Sequence, residues 1–156
     1  TLQAIYEYED FTMIWEHAVG IGLGPFQRDH GVAFIGNEGT LVIDRAKWEV
    51  FPETGTRNSA PYYKMEPVPT QRVRPGAAGL DQHTQNFIEC MKTRSQPRCN
   101  AEIGQLAAVN AHLGNIAFRT NQKVHWNAAQ SQFTDNAEAN SLMRAHYRQP
   151  WTLPTV

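Results

Sequence analysis

Apolar and polar positions in the first third of the chain alternate with the two-residue period of β-strands. Residues 2–8 and 11–17 both alternate in this way, and the two residues between them suit a tight turn, which predicts an antiparallel hairpin. A second hairpin is predicted over residues 32–43, where Gly39 is expected to supply the positive φ of a three-residue loop. A fifth strand is expected over residues 48–51.

The strand predicted at residues 32–35 is apolar on both faces. Val32 and Phe34 point one way, whereas Ala33 and Ile35 point the other. An antiparallel sheet with one solvent-facing side alternates more cleanly, so we expect this sheet to be covered on both sides. The helices of this chain are too few to cover both faces. We therefore predict a homo-oligomer in which the second sheet face forms the subunit interface.

The second half of the chain changes to a helical pattern after a long connection. Residues 53–79 are rich in proline and glycine and predict an irregular segment with at most one edge strand, near residues 63–65. One helix is expected over residues 81–93. A second helix begins after Asn100, a favourable N-cap residue, and runs to about residue 119.

The second helix is apolar around most of its circumference, which is typical of a helix buried between two layers. His112, Asn115 and Arg119 form a narrow polar strip, because helical spacings of three and four residues place them on one face. Three interpretations of this strip stay open: a substrate-facing edge, a contact with another domain, or a solvated surface.

A last strand at residues 123–126 and a short helix near residues 137–143 complete the pattern. The elements together predict an α+β fold, in which a mostly antiparallel β-sheet has helices packed on one face and an oligomer interface on the other. The 156 residues, 41% of them apolar, suffice for a single domain with its own core, over residues 1–156.

Charge and composition exclude several classes of partner. The 14 basic and 15 acidic residues create no net field that attracts nucleic acid or an anionic membrane. The sequence shows neither an apolar stretch that spans a bilayer nor a signal-peptide pattern, so a soluble protein is expected. Cys90 and Cys99 lack metal-ligand spacing, and they form either one bridge or two free thiols.

The sequence contains no catalytic motif. Residues 20–24 alternate glycine with apolar residues, but they precede Pro25 rather than the helix that a dinucleotide-binding glycine loop requires. His17, beside Glu16, is interpreted either as a half-buried sheet histidine or as a contact to a ligand. No spacing among the carboxylates forces a pair into one cleft, so a glycoside hydrolase is only a minor alternative.

Seven short segments form an ordered series: Trp15-Glu16-His17, GVAFIGNEGTL at 31–41, HTQNFIEC at 83–90, AEIG at 101–104, HLGNIA at 112–117, Glu138-Ala139-Asn140 and YRQPW at 147–151. The series resembles the C-terminal part of the Gfo/Idh/MocA oxidoreductases, in particular a bacterial branch that acts on sugars. The resemblance covers nearly the whole chain.

This resemblance implies a two-domain enzyme. Its N-terminal Rossmann domain binds NAD(P), and its C-terminal α+β domain carries a large, mostly antiparallel sheet whose open face forms the subunit interface. The Rossmann domain, the cofactor-side lysine motif and the helix with the catalytic His and Asp have no counterpart here, and that helix is expected just upstream of Thr1. Trp-Glu-His is followed by Ala18, where this branch is expected to have arginine. The resemblance therefore assigns no catalytic and no cofactor-binding residue to this chain.

We interpret the chain as the substrate-side and oligomerisation portion of such a sugar oxidoreductase, incomplete at its N-terminus and located in the bacterial cytoplasm or periplasm. NAD(P) is expected only for the full-length parent. The candidate substrate-binding residues are Trp15, His17, His112, Asn115 and Arg119. The alternative is a stand-alone oligomeric module for carbohydrate binding or assembly, which holds a sugar against Trp15, Trp48 or Tyr62.

The first prediction concerns the nicotinamide cofactor. A chain without a strand, glycine loop and helix in sequence has no cradle for a pyrophosphate, so the isolated chain should not bind NAD(H) or NADP(H). Calorimetric titration measures this directly. Micromolar affinity for either dinucleotide would contradict the interpretation.

Overall fold

The computed structural model describes residues 1–74, 79–145 and 147–152. This part of the chain is α+β, as predicted, and contains ten strands and three helices. In chain order they are β1 (Leu2–Glu7), β2 (Thr12–His17), β3 (Val32–Ile35), β4 (Gly39–Ile43), β5 (Lys47–Pro52), β6 (Thr54–Arg57), β7 (Ala60–Tyr63), β8 (Gln71–Arg72), α1 (Leu80–Thr93), α2 (Ala101–Thr120), β9 (His125–Asn127), β10 (Gln132–Thr134) and α3 (Ala137–Ser141).

The chain divides into two compact units. The terminal unit combines Thr1–Val19 with the chain from Cys99 onward, and the central unit is Gly20–Arg98. Every pairing between the described strands is antiparallel. The strands form one four-stranded sheet and three two-stranded sheets, rather than the single large sheet that the family resemblance implied.

The terminal unit begins with the predicted hairpin. In β1 and β2, Leu2 lies opposite His17 and Ala4 lies opposite Trp15. The N–H of Tyr8 donates to the carbonyl of Phe11 over 3.0 Å, which closes the two-residue turn between the strands. Both the strands and the turn are therefore where the alternation placed them.

Helix α2 begins where its capping residue predicts. The side-chain oxygen of Asn100 accepts a hydrogen bond from the N–H of Ile103 over 2.9 Å, and this satisfies one of the free donors of the first turn. The helix ends at Asn121, whose φ of 52° is the left-handed conformation common after a helix C-terminus.

Helix α2 packs against β1 with almost no space between them. The Tyr6 hydroxyl donates to the backbone carbonyl of Asn110, and burial raises the pKa of this phenol. A Cβ added at Gly114 would lie 2.6 Å from the Tyr6 Oη and 2.8 Å from the Ala4 Cβ. Glycine is required at this position because any side chain would push the helix off the strand.

The core of the terminal unit lies between α2 and the residues that follow it. Ile116, Phe133 and Ala139 are buried together, packed against Leu113, Val124, Trp126 and Leu142. The Asn140 side chain holds the backbone of Phe133 from both sides: it accepts from the Phe133 N–H at 2.8 Å and donates to the Phe133 carbonyl at 2.9 Å. These two hydrogen bonds hold α3 against β10, a strand that was not predicted from the sequence.

The central unit contains the four-stranded sheet, in the order β3-β4-β5-β8. On one face Val42 is only 2% exposed. A turn at Pro25–Gln27 reaches this sheet, with the Phe26 ring stacked 6.2 Å from the Phe51 ring. Phe26 and Gln27 both take a φ of 56°, an unfavourable value for side chains of this size.

The other face of the four-stranded sheet is apolar and uncovered within the described chain. Strand register places Val32, Phe34, Ile43 and Trp48 on this face, and all four are exposed. The described residues therefore do not cover this face, and its cover by a second subunit stays a prediction.

The role predicted for Gly39 is wrong. Gly39 does not take a positive φ; it is the first residue of β4 and lies opposite Pro52. Its carbonyl accepts from the Gly36 N–H over 3.0 Å, which shortens the loop to Asn37 and Glu38. Glycine is needed here for space, because an added Cβ would lie 2.8 Å from the Met65 sulfur.

The predicted irregular segment over residues 53–79 contains more structure than its composition indicated. Strands β6 and β7 form a hairpin that turns at Asn58 and Ser59, with φ values of 52° and 59°. Two consecutive left-handed residues are the geometry of the tight turns that suit twisted strands. Residues 75–78 of this segment lie outside the described residues.

The predicted burial of α2 around most of its circumference is met only on one side of its C-terminal half, since Phe118 in that half is 67% exposed. Gly114, Ile116 and Thr120 are buried. In the N-terminal half Ile103 is 50% and Leu106 is 64% exposed. The second layer expected over this helix is not supplied by the described residues.

The close approach at Gly114 gives a stability prediction with a matched control on the same helix. Gly114→Ala should destabilise the chain by about 1–3 kcal/mol, because the Tyr6 ring or the helix must shift. Gly104→Ala has nothing within 4 Å of its added methyl group and should stabilise the helix by up to about 1 kcal/mol. Denaturant unfolding measures both changes. Equal effects of the two substitutions would contradict the close packing.

Candidate functional site

The polar strip of α2 is where the helical spacing predicted it. Contacts at Gly114 and in the Ile116 core fix the rotation of the helix about its axis, and His112, Asn115 and Arg119 face outward. All three side chains are exposed. Within the described chain none of the three makes a side-chain hydrogen bond or ion pair, so their donors and acceptors are available for a ligand or another surface.

Trp15 and His17 lie together on one face of β2. Their register partners Ala4 and Leu2 share this face, which is the one that packs against α2 at Ala4 and Tyr6. Trp15 is 37% exposed and His17 is exposed as well, so the half-buried interpretation of His17 is wrong. In the described chain no hydrogen bond, ion pair or ring contact joins these two residues to the strip on α2.

A cluster of charged side chains in the central unit was not identified from the sequence. Arg28 forms ion pairs with Asp44, at 2.9 Å, and with Glu49. Lys47 also contacts Glu49, at 2.9 Å. The four side chains are mostly buried, and they hold the turn at Pro25–Gln27 on the sheet. The available signal was the two-residue spacing of Lys47 and Glu49, which places both on one face of a strand.

Electrostatics in this cluster favour the charged form of Asp44. The N–H groups of Ala46 and Lys47 donate to the Asp44 carboxylate at 2.6 and 2.9 Å and lower its pKa, and the nearby charge of Arg28 lowers it further. Burial, with the positive charge of Arg28 and Arg72, lowers the pKa of Lys47. Asp44 and Glu49 are both committed to Arg28, so the cluster serves to join loop and sheet.

Two grooves run along α1, with volumes of about 470 and 320 Å³. The larger one is lined by Leu80, Asp81, Thr84, Gln85, Ile88, Glu89 and Lys92, and the smaller one by Gln82, Gln85, Asn86, Glu89 and Arg98. None of the five predicted substrate-binding residues lines either groove.

The two cysteines are free thiols, Cys90 buried and Cys99 exposed, which decides between the alternatives left by the sequence. No group of three His, Cys, Asp or Glu residues in the described ranges is arranged to hold a metal ion. Within those ranges no helix has the length and apolar character needed to cross a membrane.

The described residues do not fit a nicotinamide dinucleotide. A pyrophosphate cradle is a glycine loop that joins a strand of a parallel sheet to the start of a helix. Here Gly20, Gly22 and Gly24 lead into the short turn at Pro25–Gln27, and every described strand pairing is antiparallel.

The described residues form an α+β fold of two compact units, in which all strand pairings are antiparallel. Residues 70–153 match the family model GFO_IDH_MocA_C2, described as the oxidoreductase family, C-terminal alpha/beta domain. The match spans more than half of the chain, and the chain belongs to this family, which confirms the resemblance noted in the sequence. The comparisons with curated proteins and with solved structures found no match.

The charged cluster predicts how the free energy of unfolding changes at acid pH. The pKa of Asp44 is lowered in the folded state, so its ionised carboxylate contributes to the free energy of unfolding. This contribution is fully present above the ordinary aspartate pKa of about 3.9, and it is lost as pH falls through the lowered pKa of the folded state. Asp44→Asn keeps an oxygen acceptor for the two N–H groups but removes the charge. Between about pH 5 and pH 2, where such a carboxylate titrates, the unfolding free energy of the variant should therefore fall less than that of the unmodified chain. If the unfolding free energies of the variant and of the unmodified chain changed in parallel with pH, this role of Asp44 would be contradicted.

Proposed function

We propose that this chain is the substrate-side and oligomerisation portion of an NAD(P)-dependent sugar oxidoreductase, and that it performs no redox reaction alone. The observation that carries the proposal is the match to the C-terminal domain of the oxidoreductase family, over residues 70–153. This range contains the whole polar strip of α2. Membership in the family supports a role beside the cofactor domain rather than in place of it.

The strip has the chemistry that a polyhydroxylated substrate requires. Asn115 offers a carbonyl acceptor and an amide donor, Arg119 offers a fork of donors, and His112 offers either, depending on its tautomer. Residues three and four apart on a helix have Cβ atoms about 5–6 Å from each other, a spacing that suits hydroxyl groups on opposite sides of one sugar ring rather than neighbouring ones. Because α2 is packed at Gly114 and in the Ile116 core, the backbone that carries the three groups is held in place.

Within the full enzyme, the residues of this chain bind and orient the substrate. When bound, NAD(P) supplies the hydride transfer, and the groups that hold it belong to the cofactor domain of the parent enzyme. Trp15 and His17 are proposed as further substrate contacts, because both are exposed on one face of β2. The apolar body of Trp15 suits a sugar ring face.

The uncovered sheet face supports the oligomerisation part of the proposal. Val32, Phe34, Ile43 and Trp48 are exposed on one face of the four-stranded sheet. Each such side chain contributes roughly 1.5–3 kcal/mol when it is fully buried. Several per subunit are sufficient to offset the loss of translational and rotational freedom on association. Packing of two such faces about a two-fold axis buries both.

A second candidate function, carbohydrate binding without a cofactor domain, is favoured by one feature of the β6–β7 hairpin. The Tyr62 ring lies over Gly55, where an added Cβ would be 2.8 Å from the ring, and Tyr62 remains 48% exposed. A ring held flat on a glycine backbone is a suitable platform for a sugar. Binding of a sugar by the 156-residue chain, abolished by Tyr62→Ala, would favour this alternative.

Arg119→Ala tests the substrate role against a matched control. In an enzyme that joins this chain to its cofactor domain, the substitution should raise the KM for the sugar about tenfold, since a hydrogen bond from a charged group contributes about 1.5–3 kcal/mol. Its melting temperature should be unchanged, because the side chain is exposed and unpaired within the described chain. Arg144→Ala removes another exposed arginine of the terminal unit and should leave KM unchanged. Equal KM values for the two variants would exclude the strip as a substrate contact.

A further inference from the structure

Strand β3 is an unprotected edge of the central sheet. The strand order β3-β4-β5-β8 leaves β3 with one neighbour among the described strands. At the other edge, β8 has only two residues and carries Arg72, and short or charged strands resist pairing with other chains. Strand β3, Val-Ala-Phe-Ile, has no charge and no proline, and it alone among the described strands consists entirely of apolar residues. Ile35 on this edge is 77% exposed.

The hydrogen-bond pattern shows which backbone groups face outward. The Gly36 N–H donates to the Gly39 carbonyl, so this is a hydrogen-bonded pair of the antiparallel ladder. Hydrogen-bonded and non-hydrogen-bonded pairs alternate along such a ladder. The pair Phe34–Leu41 is therefore hydrogen-bonded, whereas Ala33–Val42 and Ile35–Thr40 are not. Consequently the N–H and carbonyl groups of Ala33 and Ile35 point away from β4, toward the free edge.

We propose that β3 pairs antiparallel with β3 of a second copy of this chain, about a two-fold axis that passes between the two Phe34 residues. This register places Ala33 of each copy opposite Ile35 of the other. Each of these pairs exchanges two backbone hydrogen bonds, so every outward group of β3 is satisfied. The pairing joins two four-stranded sheets into one continuous sheet, and it is independent of the face-to-face packing proposed above.

The sequence around β3 favours a second copy as the occupant. With Phe34 at the axis, the two Phe34 side chains form a cross-strand aromatic pair, one of the more stabilising pairs in a sheet. Gly31 and Gly36 flank the strand, so no bulky residue obstructs the partner at either end. No charged residue lies in the paired strand Val32–Ile35, so no like charges oppose each other within it.

Disulfide trapping tests the register. Opposed residues of a non-hydrogen-bonded pair have Cα atoms about 4.5 Å apart, which a disulfide can span. In a Cys99→Ser background, which removes the exposed native thiol, Phe34→Cys should therefore give a cross-linked dimer under mild oxidation. Ile35→Cys is the control, because the two copies of residue 35 lie diagonally, about 7–8 Å apart. Equal cross-linking at both positions, or none at position 34, would overturn the proposed register.

Substitution by proline tests the backbone contacts. Ala33→Pro removes an outward N–H without breaking a bond to β4, and edge strands tolerate proline. It should weaken association about tenfold or more, measured by light scattering, because one hydrogen bond is lost from each copy. Ala33→Val, which keeps the N–H, should associate as the unmodified chain does. A monomeric unmodified chain, or equal masses for the two variants, would contradict the proposal.

A face substitution separates this inference from the proposed function. Trp48 lies on the uncovered sheet face in β5, away from the β3 edge. Trp48→Glu should disrupt face-to-face packing but leave disulfide trapping at position 34 intact. Loss of trapping in this variant would show that the edge contact depends on the face, and it would overturn an independent edge pairing.

Discussion

The close approach of α2 to β1 at Gly114 is the constraint on which the terminal unit depends. With a hydrogen atom as its only side chain, Gly114 lets Tyr6 and Ala4 approach the helix backbone, and the Tyr6 hydroxyl reaches the Asn110 carbonyl. This contact fixes the rotation of α2 about its own axis. The rotation decides that Ile116 enters the core with Phe133 while the polar strip faces outward. A site on the strip is therefore held in place by the contacts that fix its helix.

The elements with strong local signals could be predicted from the sequence. The β1–β2 hairpin, α1 and α2 follow from periodicity, and Asn100 marks a helix start through a hydrogen bond within its own first turn. Prediction from neighbouring residues failed where a residue is required by a contact with a distant part of the chain. Gly39 matched a turn signature, but its lack of a side chain makes room for Met65, which is 26 residues away in sequence. No pattern in the neighbouring residues reports such a contact.

The same distinction applies to the candidate sites. Helical spacing suffices to place His112, Asn115 and Arg119 on one face, because all three lie within three turns of one helix. The charged cluster joins Arg28 in a turn to Asp44 and Glu49 at the far side of a hairpin, so only the strand register brings the three together. Composition was also a poor guide to residues 53–79, where Asn58 and Ser59 form a tight turn without glycine.

The shared guanidinium of Arg28 has a consequence for mutational tolerance. Asp44 and Glu49 both engage this one cation, so removal of either carboxylate leaves Arg28 with a remaining partner. Removal of both leaves a mostly buried cation unpaired beside two residues in an unfavourable backbone conformation. The effects of the two single substitutions therefore should not add up to that of the double substitution. Sequence variation at positions 44 and 49 is then expected to be coupled, with one acidic residue kept whenever the other is exchanged.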